Sequence, residues 1–293
     1  MKKGQASRTA EAAAGARAIH RLHHQHPVFD DPFALELTSP LWRRVATSKI
    51  LLWLVTRLVF RSQRTVAAQV IARSRLAEDL LAEAIASGIR QYVIVGAGLD
   101  SFALRYHDAP SGFRVFELDH PDTQRLKLER IRALDIELPD IVEFVGIDFE
   151  EEAVAGALAR SSYEVARPAF YSWLGTTAYL SNTATIATLR SIAGYAAPGS
   201  TIVFDYLVPD EVLSDSSRRV VQKLKRFTAR RGEPLIGALH PDTLKEMLAS
   251  IGLELVENLS AAEQEARYFS GRSDGLRPAA ASWFARARVA SRP

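Results

Sequence analysis

Seven strand-like runs alternate with helical stretches after residue 88. The pattern predicts an α/β fold with a seven-stranded, mostly parallel sheet, helices on both faces and an N-terminal helical cap. Two local features agree. Tyr92-Val93-Ile94-Val95 breaks into Gly96-Ala97-Gly98-Leu99-Asp100, a strand that ends in a glycine-rich turn. A second strand, 113–118, ends on Asp119, 21 residues after Gly98. Sheets of this kind bind ligands at the carboxyl ends of their strands, near a switch in strand order. Residues 96–100 sit at such an end.

The elements follow in order. Residues 7 to about 25 form an Ala-rich helix that ends before Pro27. Asp30-Asp31-Pro32 is a turn that starts a short helix. Residues 41–87 give two long helices. The first is strongly apolar; the second, 65–87, carries Val66, Val70, Leu76, Leu80, Leu81 and Ile85 at helical spacing. Gly88 stops it. Strands are predicted at 91–95, 113–118, 141–146, 168–174, 201–207, 253–258 and 281–289. Helices between them include 182–196, with Ile186, Leu189 and Ile192 on one side, and 242–250, closed by Gly252. Two parts result: a helical cap over 1–88, and a core over 89–293 with a basic lid insertion near 208–238.

The bulk composition is that of an ordinary soluble globular chain. Its 293 residues are 47% apolar and 24% charged, with a formal charge of +3 from 37 basic and 34 acidic residues. That balance gives no reason to expect nucleic acid. There is no cysteine, which excludes disulfides, thiolate metal sites and a cysteine nucleophile, and suits the cytoplasm. The most apolar run, 49–60, is far shorter than the ~20 residues a membrane span needs, and Arg57 interrupts it. No signal peptide is expected at the N-terminus.

The glycine turn narrows the ligand. A dinucleotide fingerprint needs a third glycine, and Ser101 holds that place. A phosphate loop with Gly-Lys-Ser or Gly-Lys-Thr is also absent. Gly-x-Gly followed by an acid at the next strand end suits a ligand with adenine and ribose but no pyrophosphate, such as S-adenosylmethionine. NAD(P), or a tight turn with no ligand, remain the alternatives. Val145-Gly146-Ile147-Asp148-Phe149 closes a third strand. Asp148 can accept from an adenine amino group and Phe149 can pack on the ring; alternatively Asp148 is a solvated helix start.

These motifs, taken together, resemble the leucine carboxyl methyltransferase-like branch of class I S-adenosylmethionine-dependent methyltransferases. The likeness runs through Ser7-Arg8-Thr9-Ala10-Glu11, Arg17-Ala18, Asp31-Pro32-Phe33-Ala34 and Ala72-Arg73-Ser74-Arg75. It continues through residues 93–100, Phe116-Glu117-Leu118-Asp119-His120-Pro121 and Asp148-Phe149. Trp173-Leu174-Gly175, Tyr179-Leu180, Ala197-Pro198-Gly199-Ser200 and Gly232-Glu233-Pro234 complete it. The resemblance implies a Rossmann-like fold with S-adenosylmethionine as cofactor. It implies that Gly96, Ala97 and Gly98 approach the cofactor, Asp119 holds its ribose, Asp148 and Phe149 frame its adenine, and His120 is among the cofactor-binding residues. Arg73 would pair with its carboxylate, helped by Arg8. Asp100 and Leu174 complete the implied set. Two departures stand out. Asp100-Ser101-Phe102 replaces the family's Asp-Thr-Arg, with Arg105 as the surviving arginine. Leu174 stands where many members carry glutamate.

The acceptor side is read from the residues. A carboxylate is already ionised near neutral pH and needs no general base, whereas a hydroxyl does. His120 and His107 are expected to be loop histidines, and His20, His23, His24 and His26 a helix end rather than a metal site. No metal is expected. Tyr179, Tyr206 and Arg105 are the acceptor-pocket candidates. The acid-free run 217–231, with Arg218, Arg219, Lys223, Lys225, Arg226, Arg230 and Arg231, is either a solvated face or a lid for an anionic or carrier-bound acceptor. Trp42, Trp53 and Phe60 are either an apolar acceptor slot or a helix seam. The expected activity is small-molecule O-methylation, esterifying a carboxylate. A protein carboxyl methyltransferase and a non-catalytic cofactor-binding regulator are the competing readings.

Overall fold

The structure is a computed structural model that describes residues 8–58, 64–106, 108–230 and 232–291; the side chains of Arg8 and residues 55–58 lie outside the description. Four helices come first: α1 (Arg8–His23), α2 (Pro40–Thr47), α3 (Lys49–Leu58) and α4 (Arg64–Ala86). Then β1 (Gln91–Val95), α5 (Phe102–Arg105), β2 (Arg114–Asp119), α6 (Pro121–Arg132), β3 (Val142–Gly146), α7 (Val154–Leu158) and β4 (Phe170–Trp173) follow. The chain continues through α8 (Asn182–Tyr195), β5 (Thr201–Leu207), α9 (Asp215–Ala229), α10 (Pro241–Ala249), β6 (Leu253–Leu259), α11 (Ala261–Tyr268) and β7 (Ser282–Val289).

The seven strands form one sheet in the order β3-β2-β1-β4-β5-β7-β6. All pairs are parallel except those of β7, which runs antiparallel to β5 and β6. This is the predicted fold. Strand order reverses between β1 and β4, and that opens a crevice beyond their carboxyl ends. β1 is buried along its whole length, as a strand covered on both faces must be. On one face Val93, Val95, Phe116, Tyr171 and Phe204 join Leu189, Ile192 and Leu248. On the other, Tyr92, Ile94, Val115, Phe170 and Val203 pack with Leu76, Leu80 and Leu81 of α4. The N-terminal helical region therefore ends in a helix that shares a core with β1.

Two predicted elements take another form. The apolar helix expected from residue 41 is two helices, because Ser48 is extended (φ −98°, ψ 111°). Its amide still donates to Arg44 O, while its Oγ accepts from Leu51 N at 3.3 Å and starts α3. The segment after Pro32 winds as successive turns rather than a helix. There, Asp31 binds Phe33 N and Arg17, and that ion pair fixes the segment against α1. The strand predicted at 168–174 is shorter, Phe170–Trp173; Pro168 offers no amide hydrogen to a ladder.

Candidate functional site

The Gly96–Gly98 turn is stitched to the end of β2. The amides of Gly96 and Ala97 both donate to Leu118 O, at 2.8 and 3.0 Å. The Gly98 amide donates to Asp119 Oδ2 at 2.5 Å, and the His120 amide to Asp119 Oδ1 at 2.6 Å. Gly96 and Gly98 are left-handed, with φ of 72° and 55°. Burial raises the Asp119 carboxyl above its ordinary range, while the two amide hydrogen bonds oppose that shift. Both Asp119 carboxylate oxygens are thus fixed by backbone amides at the end of β2.

Next to this turn lies a second cluster, built from α4, β4 and β5. Arg73 Nη1 donates to Asp205 Oδ2 at 3.0 Å, and the Gly175 amide donates to Asp205 Oδ1 at 2.6 Å. A β-carbon on Gly175 would fall 2.3 Å from Arg73 Nη2, so only glycine lets the guanidinium lie there. Thr176 follows. A β-carbon on Gly96 would meet its Cγ2 at 2.9 Å, and its buried Oγ1 has no hydrogen-bond partner. Tyr179 closes the cluster through a hydrogen bond with the Thr9 side chain, and Thr9 Oγ1 donates to Glu233 Oε2 at 2.9 Å. Burial holds the Tyr179 hydroxyl above its usual titration range.

The third strand end faces the second. His120 caps α6, its Nδ1 accepting from the Asp122 amide at 3.2 Å. Its Nε2 lies 3.9 Å from Asp148 Oδ2. Asp148 Oδ1 accepts from the Glu150 amide, and Phe149 is a large apolar side chain left exposed at 37%.

The structure therefore brings Arg73, Gly96, Gly98, Asp119, His120, Asp148 and Tyr179 around one crevice. Other candidates are placed elsewhere. Arg105 forms a double contact with Glu78, bonds Ser101 Oγ at 2.9 Å and stacks on Phe29, inside a network that includes Asp31 and Arg17. Arg17 in turn donates to Leu99 O at 2.6 Å, so this network braces the glycine turn from below. Tyr206 lies on the opposite face of β5 from Asp205, 2% exposed, with its hydroxyl on Asn258 Oδ1 at 2.8 Å. Asp100 accepts from the Phe102 amide at 2.7 Å and starts α5. Ala97 packs in the core beneath the turn, and Leu174 packs against the same cluster. Arg8 opens α1, and its side chain falls outside the described residues, as do His107, Phe60 and Arg231.

Trp42 and Trp53 do not share a slot. Trp42 lies over α1, where a β-carbon on Gly15 would be 2.5 Å from its ring, and Trp53 is 54% exposed. The N-terminal histidines make local contacts: the rings of His20 and His24 lie 4.6 Å apart, tilted by 38°, and His23 Nε2 bonds Ala46 O. Among the described residues no three His, Cys, Asp or Glu side chains group as a metal site.

Asp205, Thr176 and the Thr9–Glu233 contact were not identified as functional from the sequence. Asp205 had a usable signal: like Asp119 and Asp148, it is an acid near the carboxyl end of a strand. Thr176 had none, since its significance is an unmet hydroxyl that only three dimensions reveal.

The residues fit S-adenosylmethionine. Asp119 offers a carboxylate at the end of β2 that hydroxyls could engage, Arg73 offers a guanidinium for a carboxylate, and Thr176 has an unpartnered hydroxyl. The sheet order is that of the Rossmann-like class I methyltransferase fold. The particular family follows from comparison with known proteins. The leucine carboxyl methyltransferase profile matches residues 10–193, and the chain belongs to that family. YktD of Bacillus subtilis (strain 168), named as an S-adenosyl-L-methionine-dependent methyltransferase, is 27% identical over 94% of this chain and 95% of its own. A Mycobacterium avium (strain 104) protein given the same description is 30% identical over 76% of this chain and 70% of its own. Among solved structures, a DUF574 family protein from Streptomyces avermitilis superposes with a TM-score of 0.61 at 16% identity, covering 96% of this chain and 99% of its own. The chain is an S-adenosylmethionine-dependent methyltransferase.

Proposed function

We propose that the enzyme methylates an oxygen of a small-molecule carboxylate and forms a methyl ester. One observation carries this reading: among the described residues, the carboxylates and hydroxyls around the crevice already face protein partners, Asp148 included, with Oδ1 on the Glu150 amide and Oδ2 3.9 Å from His120 Nε2. His120 accepts on Nδ1, so its proton sits on Nε2 toward Asp148. The Tyr179 hydroxyl stays protonated. Asp119 is held by two amides, Asp205 by Arg73 and Gly175, and Glu233 by Thr9. An acceptor that arrives ionised needs no proton removed.

When bound, S-adenosylmethionine supplies an electrophilic methyl group on a sulfonium. The chain's own residues position the partners. Asp119 accepts from the ribose, Asp148 and Phe149 frame the adenine, and Arg73, aligned by Asp205, faces the carboxylate end. Tyr179, its hydroxyl held by Thr9, bounds the acceptor side and limits how the acceptor oxygen lies for in-line attack. Holding two reactants at ~3 Å in line supplies much of the acceleration such a transfer needs. The acceptor is taken to be a small anion, free or carrier-bound, and the enzyme to work in the cytoplasm, which the absence of cysteine suits.

Incubation with methyl-labelled cofactor and a panel of carboxylic acids tests the reading. The expected product releases volatile methanol in mild base; a base-stable product overturns it. Label on protein rather than on small molecules would instead favour protein carboxyl methylation. Cofactor binding with no transfer would favour a regulator. Asp119→Ala should abolish most cofactor binding by calorimetry, and unchanged binding would remove Asp119 from the site.

A further inference from the structure

A soluble helix normally turns its apolar stripe inward, but α3 does the reverse. Ile50, Trp53 and Leu54 are spaced i, i+3, i+4 on one face and are 72%, 54% and 37% exposed. Leu51 beside them is 41% exposed, and Leu41 of the adjoining α2 is 71% exposed. No other part of the described chain gathers so many exposed large apolar side chains in so short a span. Contiguous exposed apolar surface marks a binding face.

The charge around it is one-sided. From residue 37 to residue 77 the sequence contains no Asp or Glu, while Arg43, Arg44 and Lys49 are exposed within the described part of α2 and α3. The nearest acid before this stretch, Glu36, lies 3.9 Å from Arg43.

We propose that α2 and α3 form an interfacial anchor that seats the enzyme on an anionic lipid surface. Ile50, Leu51, Trp53 and Leu54 enter the boundary between headgroups and acyl chains, and the cations meet lipid phosphates. An amphipathic helix with Trp and Leu on one side and cations at its edge lies in the plane of such an interface. Each Lys or Arg near an anionic surface adds to the attraction. A second copy of the chain is the less fitting occupant. A two-fold contact through this face would gather the Arg43, Arg44 and Lys49 of both copies into one interface with no acid from residues 37–77 to offset them, and such crowding of like charges is costly. α3 is too short to cross a bilayer, and no helix among the described residues is long and apolar enough to do so. The anchor therefore lies on the membrane. This assignment is independent of the identity of the methyl acceptor.

Vesicle sedimentation with the full chain tests it. Vesicles of phosphatidylglycerol and phosphatidylcholine should carry the protein down, and pure phosphatidylcholine should carry about tenfold less. Raised salt should release it. The Ile50→Asn/Trp53→Asn double variant should lose vesicle binding and keep cofactor affinity by calorimetry, which shows that its fold is intact. Tryptophan emission should shift to the blue on adding anionic vesicles, and Trp53→Phe should bind while losing that shift. No binding of the wild type to anionic vesicles overturns the proposal. So does undiminished binding of the double variant. So does a concentration-dependent dimer that the double variant dissociates, which would give the face to a second copy.

Discussion

A methyl group on Gly175 would sit 2.3–2.6 Å from three atoms of the Arg73 guanidinium, and Gly175 is left-handed at φ 74°. Gly175→Ala therefore does two things. It costs about 1–2 kcal/mol of backbone strain, and it drives the guanidinium off its seat. The expected result is a folded protein with cofactor affinity at least about tenfold lower, a loss of roughly 1.4 kcal/mol, read by calorimetry. Asp205→Ala is a harsher change. Arg73 and Asp205 are both largely buried, with side chains 15% and 8% exposed. Removing one member of such a pair leaves an uncompensated charge and costs about 3 kcal/mol, measurable by urea unfolding. Asp205→Asn should cost less, because its amide oxygen can still accept from the Gly175 amide. Much of this site was legible in the sequence. Gly-x-Gly and the acids at strand ends carry their chemistry in their spacing. Arg73 was legible only through its family motif, since a lone helical arginine looks like any surface charge. The surroundings of Arg105 were hidden for the converse reason. Nothing in the sequence says that Glu78 and Asp31 will enclose it, and a buried ion-pair network has no periodic signature.

Strands and long helices were legible because each buries a regular face. β1, β5 and β7 match their predicted spans within one residue, and α4 shows the helical spacing of its buried Leu76, Leu80 and Leu81. The break at Ser48 was hidden, because serine is tolerated within helices and the apolar run continues on both sides. α9 is the element whose function is most open to test. Arg219, Lys223, Arg226 and Arg230 recur at i, i+4, i+7, i+11 on its exposed side, and Val221 is its one buried residue. At the end of this stripe, Thr228 O accepts from the Glu233 amide, and Glu233 bonds Thr9 beside Tyr179. A cationic stripe leading to the crevice should draw an anionic acceptor. Arg219→Glu/Lys223→Glu should raise KM for a carboxylate acceptor several-fold at low salt, with kcat and cofactor affinity unchanged. The difference should shrink as salt rises, because these charges are solvent-exposed. Stability should move by no more than ~0.5 kcal/mol. An equal rise in KM for a neutral acceptor would count against electrostatic attraction as the cause.

The first helix and the C-terminal segment are tied together through a buried histidine, and that tie gives the molecule a pH dependence. His20 is 3% exposed and accepts from the Val28 amide at 2.9 Å. Its ring lies 4.6 Å from that of His24, tilted against it, and His24 Nδ1 meets Asp274 Oδ2 at 2.9 Å, while Arg272 donates to His26 O and pairs with Asp274. Burial foremost, then the neighbouring His24 and Arg272, push His20 down from 6.5 to about 4, with Asp274 opposing. A protonated His20 would place a charge beside Arg272 and lose its acceptor lone pair to the Val28 amide. The unfolded chain takes up this proton as pH falls through 6.5, and the folded chain does not until about 4. Between those values the unfolded state binds more protons, so stability falls as pH falls. Above that window the contribution is constant. Asp31, held low by Arg17 and Arg105 against the effect of its burial, adds loss only at lower pH, below the unfolded carboxyl range. The two effects separate in a variant. His20→Gln offers an oxygen to the Val28 amide and does not titrate. Urea-unfolding midpoints should decline from neutral pH toward about 4 in the wild type and decline less steeply in His20→Gln. Parallel slopes in the two proteins would assign the acid sensitivity to other groups and leave His20 as a packing residue alone.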